Sequence, residues 1–323
     1  MLDYHVHLFS HDEKARDTEV TVANLSKLCA VAKKRHVAEI AVTEHLFRFK
    51  QAKPLFMKVA DQVSNKDAGE FMRDYYSFHA TLDFDHYTET LMRGKEMGLP
   101  LIIGTEMDFL PDQMDEVKLL LSSYPLDIIL GSVHFIEGHM FDIFDAPLQI
   151  GIWEKRGLEK VCDDYLLALE SLVNSDAYDV LAHLDLVKVT GRKLSGYALA
   201  DFENEIVRAI VNHQNDLEKT AALTEDGQIL EISDEKPNNN LTVEFSSAGW
   251  RKPIYDTYPS KSLLSKLYSA GIGITFASDA HEPMTLGYRF SDLRNIAYDI
   301  GYQSIKHFSA RESYPLGIDE GVR

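Results

Sequence analysis

The chain has 323 residues, 45% of them hydrophobic, which suffices for one large α/β barrel or two ordinary domains. Its 33 Lys and Arg against 51 Asp and Glu leave a net charge of −18, a surface that repels phosphate backbones and argues against nucleic-acid binding. It has no long apolar run, no basic-then-apolar leader and only two cysteines, Cys29 and Cys162, which speaks against a membrane span, a signal peptide and a disulfide framework and predicts a cytoplasmic protein.

In chain order, short apolar segments alternate with helical patterns. Leu2, Tyr4 and Val6 interleave with Asp3, His5 and His7, the period of a strand. Side chains two apart on a strand point the same way, so His5 and His7 can reach one cation. Val22–Arg35 carries Val22, Leu25, Leu28, Cys29 and Ala32 at helical spacing, with Lys33, Lys34 and Arg35 in the last turn. Glu39–Thr43 is the second strand. Phe47–Phe84 is a polar-aromatic insertion, either a lid over the site or a decorating helical excursion. His79 and His86 in that region are taken as non-ligands. Tyr87–Gly98 is a helix stopped by Gly98-Leu99-Pro100. Leu101–Thr105, Asp127–Ser132, Asp179–Ala182, Leu241–Phe245 and Gly273–Ala277 are the remaining strands. Leu158–Asn174, Asp201–His213 and Ser262–Ala270 are helices between them. Asp216–Asn240 is polar and reads as a surface loop or small hairpin. The chain is expected to form one domain over 1–323, with insertions near 47–86 and 216–240.

Strand–helix alternation predicts a parallel sheet, and seven units predict a closed or nearly closed barrel. Barrel chemistry sits at the carboxyl ends of the strands. Those ends carry His5 and His7, Glu44-His45, Glu106-Met-Asp108, Val133-His134, His183-Leu-Asp185 and Ser278-Asp-Ala-His281. The sixth, Ser246-Ser247, lacks a His or carboxylate. Burying so many titratable groups together is costly unless cations turn their repulsion into coordination. A mixed His and carboxylate donor set suits Zn, Mn or Fe better than Mg alone.

Asp3-Tyr-His-Val-His7, Thr43-Glu-His45, Gly104-Thr-Glu106, Gly131-Ser-Val-His134, His183-Leu-Asp-Leu186 and Ser278-Asp-Ala-His281 resemble the polymerase-and-histidinol-phosphatase (PHP) superfamily. Gly249-Trp-Arg-Lys252 and Tyr258-Pro-Ser260 bring the resemblance closest to the L-histidinol-phosphate phosphatases. The resemblance implies a distorted seven-stranded TIM-like (β/α)7 barrel holding two to three divalent ions (Zn, Mn or Fe). It implies a phosphomonoesterase converting L-histidinol phosphate to L-histidinol and phosphate in histidine biosynthesis. The alternatives are another small phosphorylated metabolite, a nucleotide or nucleic-acid phosphodiester, and a non-catalytic metal-binding module.

Carried over by position, His5, His7, Glu106 and Asp279 would hold a first ion, and Glu106 would bridge to a second held with His134 and His183. His45 and His281 would hold a third with a residue of the loop Leu8-Phe-Ser-His-Asp12, which is one residue shorter than in relatives. Aligning on Ser10 makes that residue Asp12, with His11 competing. Glu44 would orient His45. Relatives carry Glu-Ile-Asn where this chain has Glu244-Phe-Ser246. Arg251 matches a residue that meets the substrate phosphate, and Lys188 and Arg192 are further phosphate-binding candidates. Asp185 is a candidate to protonate the leaving alkoxide, or else a supporting partner or helix cap. No nucleophilic side chain is required.

Overall fold

The structure, a computed structural model, describes residues 1–140, 154–221 and 241–318. Its centre is a seven-stranded parallel sheet. In chain order the strands are β1 (Leu2–Val6), β2 (Glu39–Val42), β3 (Leu101–Asp108), β4 (Ile128–Ser132), a small antiparallel hairpin β5 (Phe135–Ile136) and β6 (His139–Met140), then β7 (Val180–Leu181), β8 (Thr242–Ser246) and β9 (Gly273–Ala277). The sheet order is β1-β2-β3-β4-β7-β8-β9, and every neighbouring pair is parallel. The runs Ile40-Ala41-Val42, Leu101-Ile102-Ile103 and Ile128-Ile129-Leu130 are buried along their whole length, as strands covered on both faces must be.

The sheet curls until its edges meet. Val6 bridges Ala280; the His7 N–H donates to the Ala280 carbonyl at 2.8 Å, and the Ala280 N–H to the His5 carbonyl at 3.2 Å. Closure thus runs through the histidine strand and the Asp279 turn, so the barrel seam and the candidate site are one place. At the opposite end, carboxylates fix the register. Asp127 Oδ2 accepts the Ile103 N–H at 2.9 Å and Asp179 Oδ2 accepts the Ile129 N–H at 2.7 Å. Gly104 makes the β3–β4 approach possible: a Cβ there would lie 2.7 Å from Ile128 Cγ2 and 2.9 Å from the Ile128 carbonyl.

Helices cover the barrel: α1 (Val22–Lys34), α2 (Lys53–Gln62), α3 (Lys66–His79), α4 (Phe84–Glu96), α5 (Met114–Leu121), α6 (Leu158–Val173), α7 (Gly196–Ala221), α8 (Lys261–Ser269) and α9 (Phe290–Ile300). The insertion after β2 is the helix pair α2 and α3 leading into α4, the last two with side-chain caps. Asn65 Oδ1 accepts from the Asp67 and Ala68 N–H groups, and Asp83 Oδ1 from those of Asp85 and His86. Buried Phe56, Val59, Met72 and Tyr76 pin α2 and α3 down. No helix among the described residues is long and apolar enough to cross a membrane.

Three boundaries differ from the sequence expectation. Strand β3 runs on to Asp108 because its pairing with β4 continues to Ser132, so Glu106 lies inside the strand. Strand β7 shrinks to two residues because the chain turns at His183, whose φ is 24°. The helix expected over Asp201–His213 spans Gly196–Ala221, which claims the start of the presumed 216–240 loop; the remainder, 222–240, lies outside the described residues. Helix α9 and a terminal hairpin, β10 (Ser304–Ser309) with β11 (Glu312–Gly317), were not anticipated. The hairpin caps the amino-terminal end of the barrel. Arg311 pairs with Asp179 at 3.0 Å, and the Ala310 N–H donates to Asp127 Oδ1 at 3.1 Å.

Candidate metal centre

Strand period and barrel curvature bring six histidines and two carboxylates together at the carboxyl end. Glu106 is the hub. Its Oε2 lies 3.2 Å from His5 Nε2, 3.6 Å from His7 Nε2 and 2.8 Å from His45 Nδ1. Its Oε1 lies 3.3 Å from His134 Nε2 and 2.8 Å from His183 Nε2. Asp279 Oδ1 stands 3.8 Å from His5, 3.4 Å from His7 and 3.4 Å from His281. His45 Nε2 and His281 Nε2 are 3.3 Å apart. Within this set, His5, His7 and Glu106, then His45, Glu106 and His134, then His7, His45 and His281 each offer donor atoms within 4.8 Å of one another. His183 and Asp279 are the residues here with left-handed backbone, φ 24° and 51°. Such conformations cost of order 1–3 kcal/mol for residues with a side chain, and persist where the surroundings hold them.

The arrangement passes a chemical test for cations. Buried polar atoms normally find a hydrogen-bond partner. Here His5 Nε2, His7 Nε2, His45 Nδ1 and Glu106 Oε2 are buried and make no well-formed hydrogen bond, although the three nitrogens converge on that oxygen. Nitrogen and carboxylate lone pairs aimed at common points are what a transition metal ion requires.

The charges around Glu106 also fit. Burial would push the Glu106 carboxyl up, but His5, His134, His45 and the hydrogen bond from His183 hold it well below its ordinary value. Burial likewise opposes charge on His5, yet Glu106, Glu244 and Asp279 raise it well above the usual imidazole range. His45 falls to about 3 through burial and the neighbouring His7, and burial with His7 and His11 lowers His281 strongly, so both rings are neutral donors at pH 7.

A supporting layer fixes these rings. His5 Nδ1 donates to Glu244 Oε2 at 2.7 Å, while Glu244 Oε1 accepts the His183 N–H at 2.9 Å. His134 Nδ1 donates to Asp108 Oδ1 at 2.7 Å. Carboxylates placed behind ligating histidines fix the tautomer and ring orientation. Asp3 accepts from the Ser278 N–H at 2.9 Å, the Ser278 hydroxyl at 2.6 Å and the Gly287 N–H at 2.9 Å, and so shapes the turn that presents Asp279. Glu44 Oε1 lies 3.6 Å from His7 Nδ1 and 3.0 Å from Arg48 Nε. The sequence reading named Asp108 and Glu244 without giving either a partner, and it did not single out Arg48. The end of the sixth strand lacks a His or carboxylate as expected, but Glu244 in mid-strand serves the cluster from behind His5. The signal was a lone Glu in an otherwise uncharged buried strand.

Four expected residues stand elsewhere. Asp12 is exposed, whereas the His11 ring stacks on His281 with centroids 3.7 Å apart, so the loop after β1 turns His11, not Asp12, toward the cluster. Lys188 is buried and bound to Asp185 at 2.8 Å, to Asp256 at 3.1 Å and to the Thr257 carbonyl at 2.8 Å. Asp185 Oδ2 also accepts the Ser260 N–H at 2.9 Å, the supporting role rather than the acid role. Asp185, Lys188 and the exposed Arg192 line a cavity of about 270 Å³ whose wall contains no cluster residue. Asp185 and Lys188 form an anchor between the β7 and β8 turns. Of the noncluster histidines, His86 Nε2 bonds the Asp17 and Val20 carbonyls, and His79 lies beside Arg48.

Arg251 ends the short helical turn Ala248–Arg251 that follows β8. Gly249 lets its short helical turn pass the Asp256 carbonyl, which a Cβ would meet at 2.3 Å. Arg251 Nη2 donates to the carbonyls of Ser278 at 2.7 Å and Asp279 at 2.9 Å, which ties the guanidinium to the Asp279 turn. Its Nη1 is buried and makes no hydrogen bond.

Comparison with known proteins agrees with this geometry. The PHP domain family model matches residues 7–235. A protein named probable histidinol-phosphatase from Deinococcus radiodurans is 28% identical over 217 residues, covering 67% of this chain and 71% of that protein. The crystal structure of the putative histidinol phosphatase HisK of Listeria monocytogenes superposes with a TM-score of 0.63 at 18% identity, covering 90% of this chain and 99% of that one. The histidinol phosphate phosphatase HisK of Lactococcus lactis, solved with Zn, L-histidinol and phosphate, superposes with a TM-score of 0.62 at 17% identity, covering 97% and 98%. With the barrel, its seam and the converging histidines, the matched stretch of more than half the sequence places this chain in the PHP domain family.

Proposed function

We propose that the protein is a metal-dependent phosphomonoesterase whose substrate is L-histidinol phosphate. One observation carries this reading: buried ring nitrogens of five histidines converge on the two oxygens of a single carboxylate, Glu106, those at Oε2 without a hydrogen bond, beside an arginine with a spare N–H edge. His5, His7, Glu106 and Asp279 would hold one divalent ion; Glu106, His134 and His183 a second; His45 and His281, joined by His11, a third. Zn, Mn and Fe suit this donor set. Bound there, divalent ions supply Lewis acidity, which offsets phosphate charge and lowers the pKa of water. The chain's own residues do the rest. Glu106 keeps the two halves of the cluster in register. Arg251, fixed through Nη2, directs Nη1 at a non-bridging phosphate oxygen. Glu244 and Asp108 hold the rings of His5 and His134 in one tautomer. The names of the relatives support the choice of histidinol phosphate, and the charge of −18 supports a small metabolite over nucleic acid. We read 1–323 as one domain, because β1 and β9 close the barrel, and as cytoplasmic, in keeping with its two free, buried cysteines.

A panel scored by phosphate release tests the substrate. L-histidinol phosphate should give the highest kcat/KM among small phosphomonoesters, and nucleotide or oligonucleotide diesters should give little. A preference for a diester would overturn the assignment. Cations that bind the folded chain alone stabilise it by about 2.7 kcal/mol at a hundredfold excess over Kd. Chelation should therefore lower the melting temperature by several degrees, and adding Mn or Zn should restore it, as differential scanning calorimetry can check.

A further inference from the structure

Arg48 belongs to no sequence motif identified above, yet it is 0% exposed. It follows Glu44-His45 in the turn Leu46–Arg48 that leaves β2. A buried guanidinium needs acceptors for its fork of N–H groups and a countercharge. Arg48 finds both, and two of its acceptors lie on one segment. Its Nη2 donates to the Ser10 carbonyl at 2.7 Å and its Nη1 to the Glu13 carbonyl at 2.8 Å, while Nε lies 3.0 Å from Glu44 Oε1. Glu44 Oε2 in turn accepts the Leu8 N–H at 2.9 Å. The rings of Phe9 and Phe47 flank the guanidinium at 5.8 and 5.9 Å. The loop after β1 is thereby tied at Leu8, Ser10 and Glu13. His11 sits between the last two ties, stacked on His281.

We propose that Arg48 is a positioning residue: it clasps the loop 8–13 onto the β2 turn so that His11 stands beside His45 and His281 as the third donor to one cation. This rests on the reading of the cluster as a metal centre. The clasp needs a planar fork. Two nitrogens donate to two carbonyls of the loop while the charge sits beside Glu44, and the single ammonium of a lysine cannot meet both carbonyls and the carboxylate in those directions.

The test uses the whole chain as wild type, Arg48→Lys, Arg48→Met, His11→Ala and Asp12→Ala, each equilibrated with Mn and desalted. Bound Mn is counted by plasma emission, and hydrogen exchange is followed for peptides covering 8–13. The wild type should retain one ion more than His11→Ala, and Asp12→Ala should match the wild type. Both Arg48 variants should match His11→Ala, and Arg48→Lys combined with His11→Ala should lose no further ion. Amides of the loop should exchange roughly tenfold faster in the Arg48 variants while the barrel strands stay protected. Arg48 variants that keep the full ion count and the loop protection overturn the proposal. So does a failure of both to fold by circular dichroism, which makes Arg48 a core ion pair. A wild type and a His11→Ala protein with equal ion counts remove the role of His11 and the purpose of the clasp, leaving the phosphatase reading intact. A wild type that binds no transition metal removes that reading itself.

Discussion

Glu106→Gln should lower phosphate release from L-histidinol phosphate by at least about 10³-fold, more than the roughly 10–100-fold expected when only an outer carboxylate behind a ligating histidine is lost. The argument is geometric. Both oxygens of Glu106 are engaged, Oε2 with His5, His7 and His45 and Oε1 with His134 and His183. Glutamine keeps the shape but turns one oxygen into an N–H donor facing ring nitrogens, and removes one of the three carboxylate charges, with Glu244 and Asp279, that favour a charged His5. Either half of the cluster then loses its shared donor, so ion content should fall together with rate. Glu244→Gln provides the scale: it disturbs His5 and the His183 backbone without touching a donor atom, and its loss should stay within the smaller range. Equal, modest losses for both variants would make Glu106 one more supporting acid.

Arg251→Ala should reduce kcat/KM by roughly 10- to 150-fold, the equivalent of the ~1.5–3 kcal/mol carried by a charged hydrogen bond. The loss should be the same for L-histidinol phosphate and for a generic aryl phosphate, because both carry the oxygen that Nη1 meets. Ion content should hold, since Arg251 reaches the cluster through the backbone carbonyls of Ser278 and Asp279 and not through a donor atom. Arg251→Lys should recover only part, because one ammonium cannot bind the carbonyls and the phosphate in the same plane. A loss confined to histidinol phosphate would move Arg251 from the phosphate to the leaving group. Wild-type rates on both esters would leave phosphate binding to the cations.

Much of the barrel was legible because its strands are short, buried on both faces and separated by amphipathic helices, so period and composition point the same way at Ile40–Val42, Leu101–Ile103 and Ile128–Leu130. The cluster was legible because titratable residues recur at strand ends. Side-chain direction at turns was not. His183 and Asp279 adopt left-handed backbone beside contacts from the distant Glu244 and Asp3, and His11 rather than Asp12 faces the cluster in a loop held by Arg48. Lys188 looked like a phosphate binder by type and spacing; only the fold shows Asp185, Asp256 and the Thr257 carbonyl already holding it. The supporting roles of Glu244 and Asp108 were not legible for a related reason: a carboxylate one layer behind a ligand leaves no spacing pattern of its own. The terminal hairpin alternates weakly and packs under the barrel through single pairs such as Arg311 with Asp179, which composition does not announce.

The central claim is that phosphate release depends on ions held around Glu106. It is tested most directly by stripping the protein with a chelator, titrating back Mn or Zn, and measuring ion content and L-histidinol phosphate hydrolysis on the same samples. The account predicts negligible release from the stripped protein, with the rate rising as two to three ions per chain are regained. Full hydrolysis by protein carrying less than one ion per chain, or full ion content with no phosphate released, would contradict it.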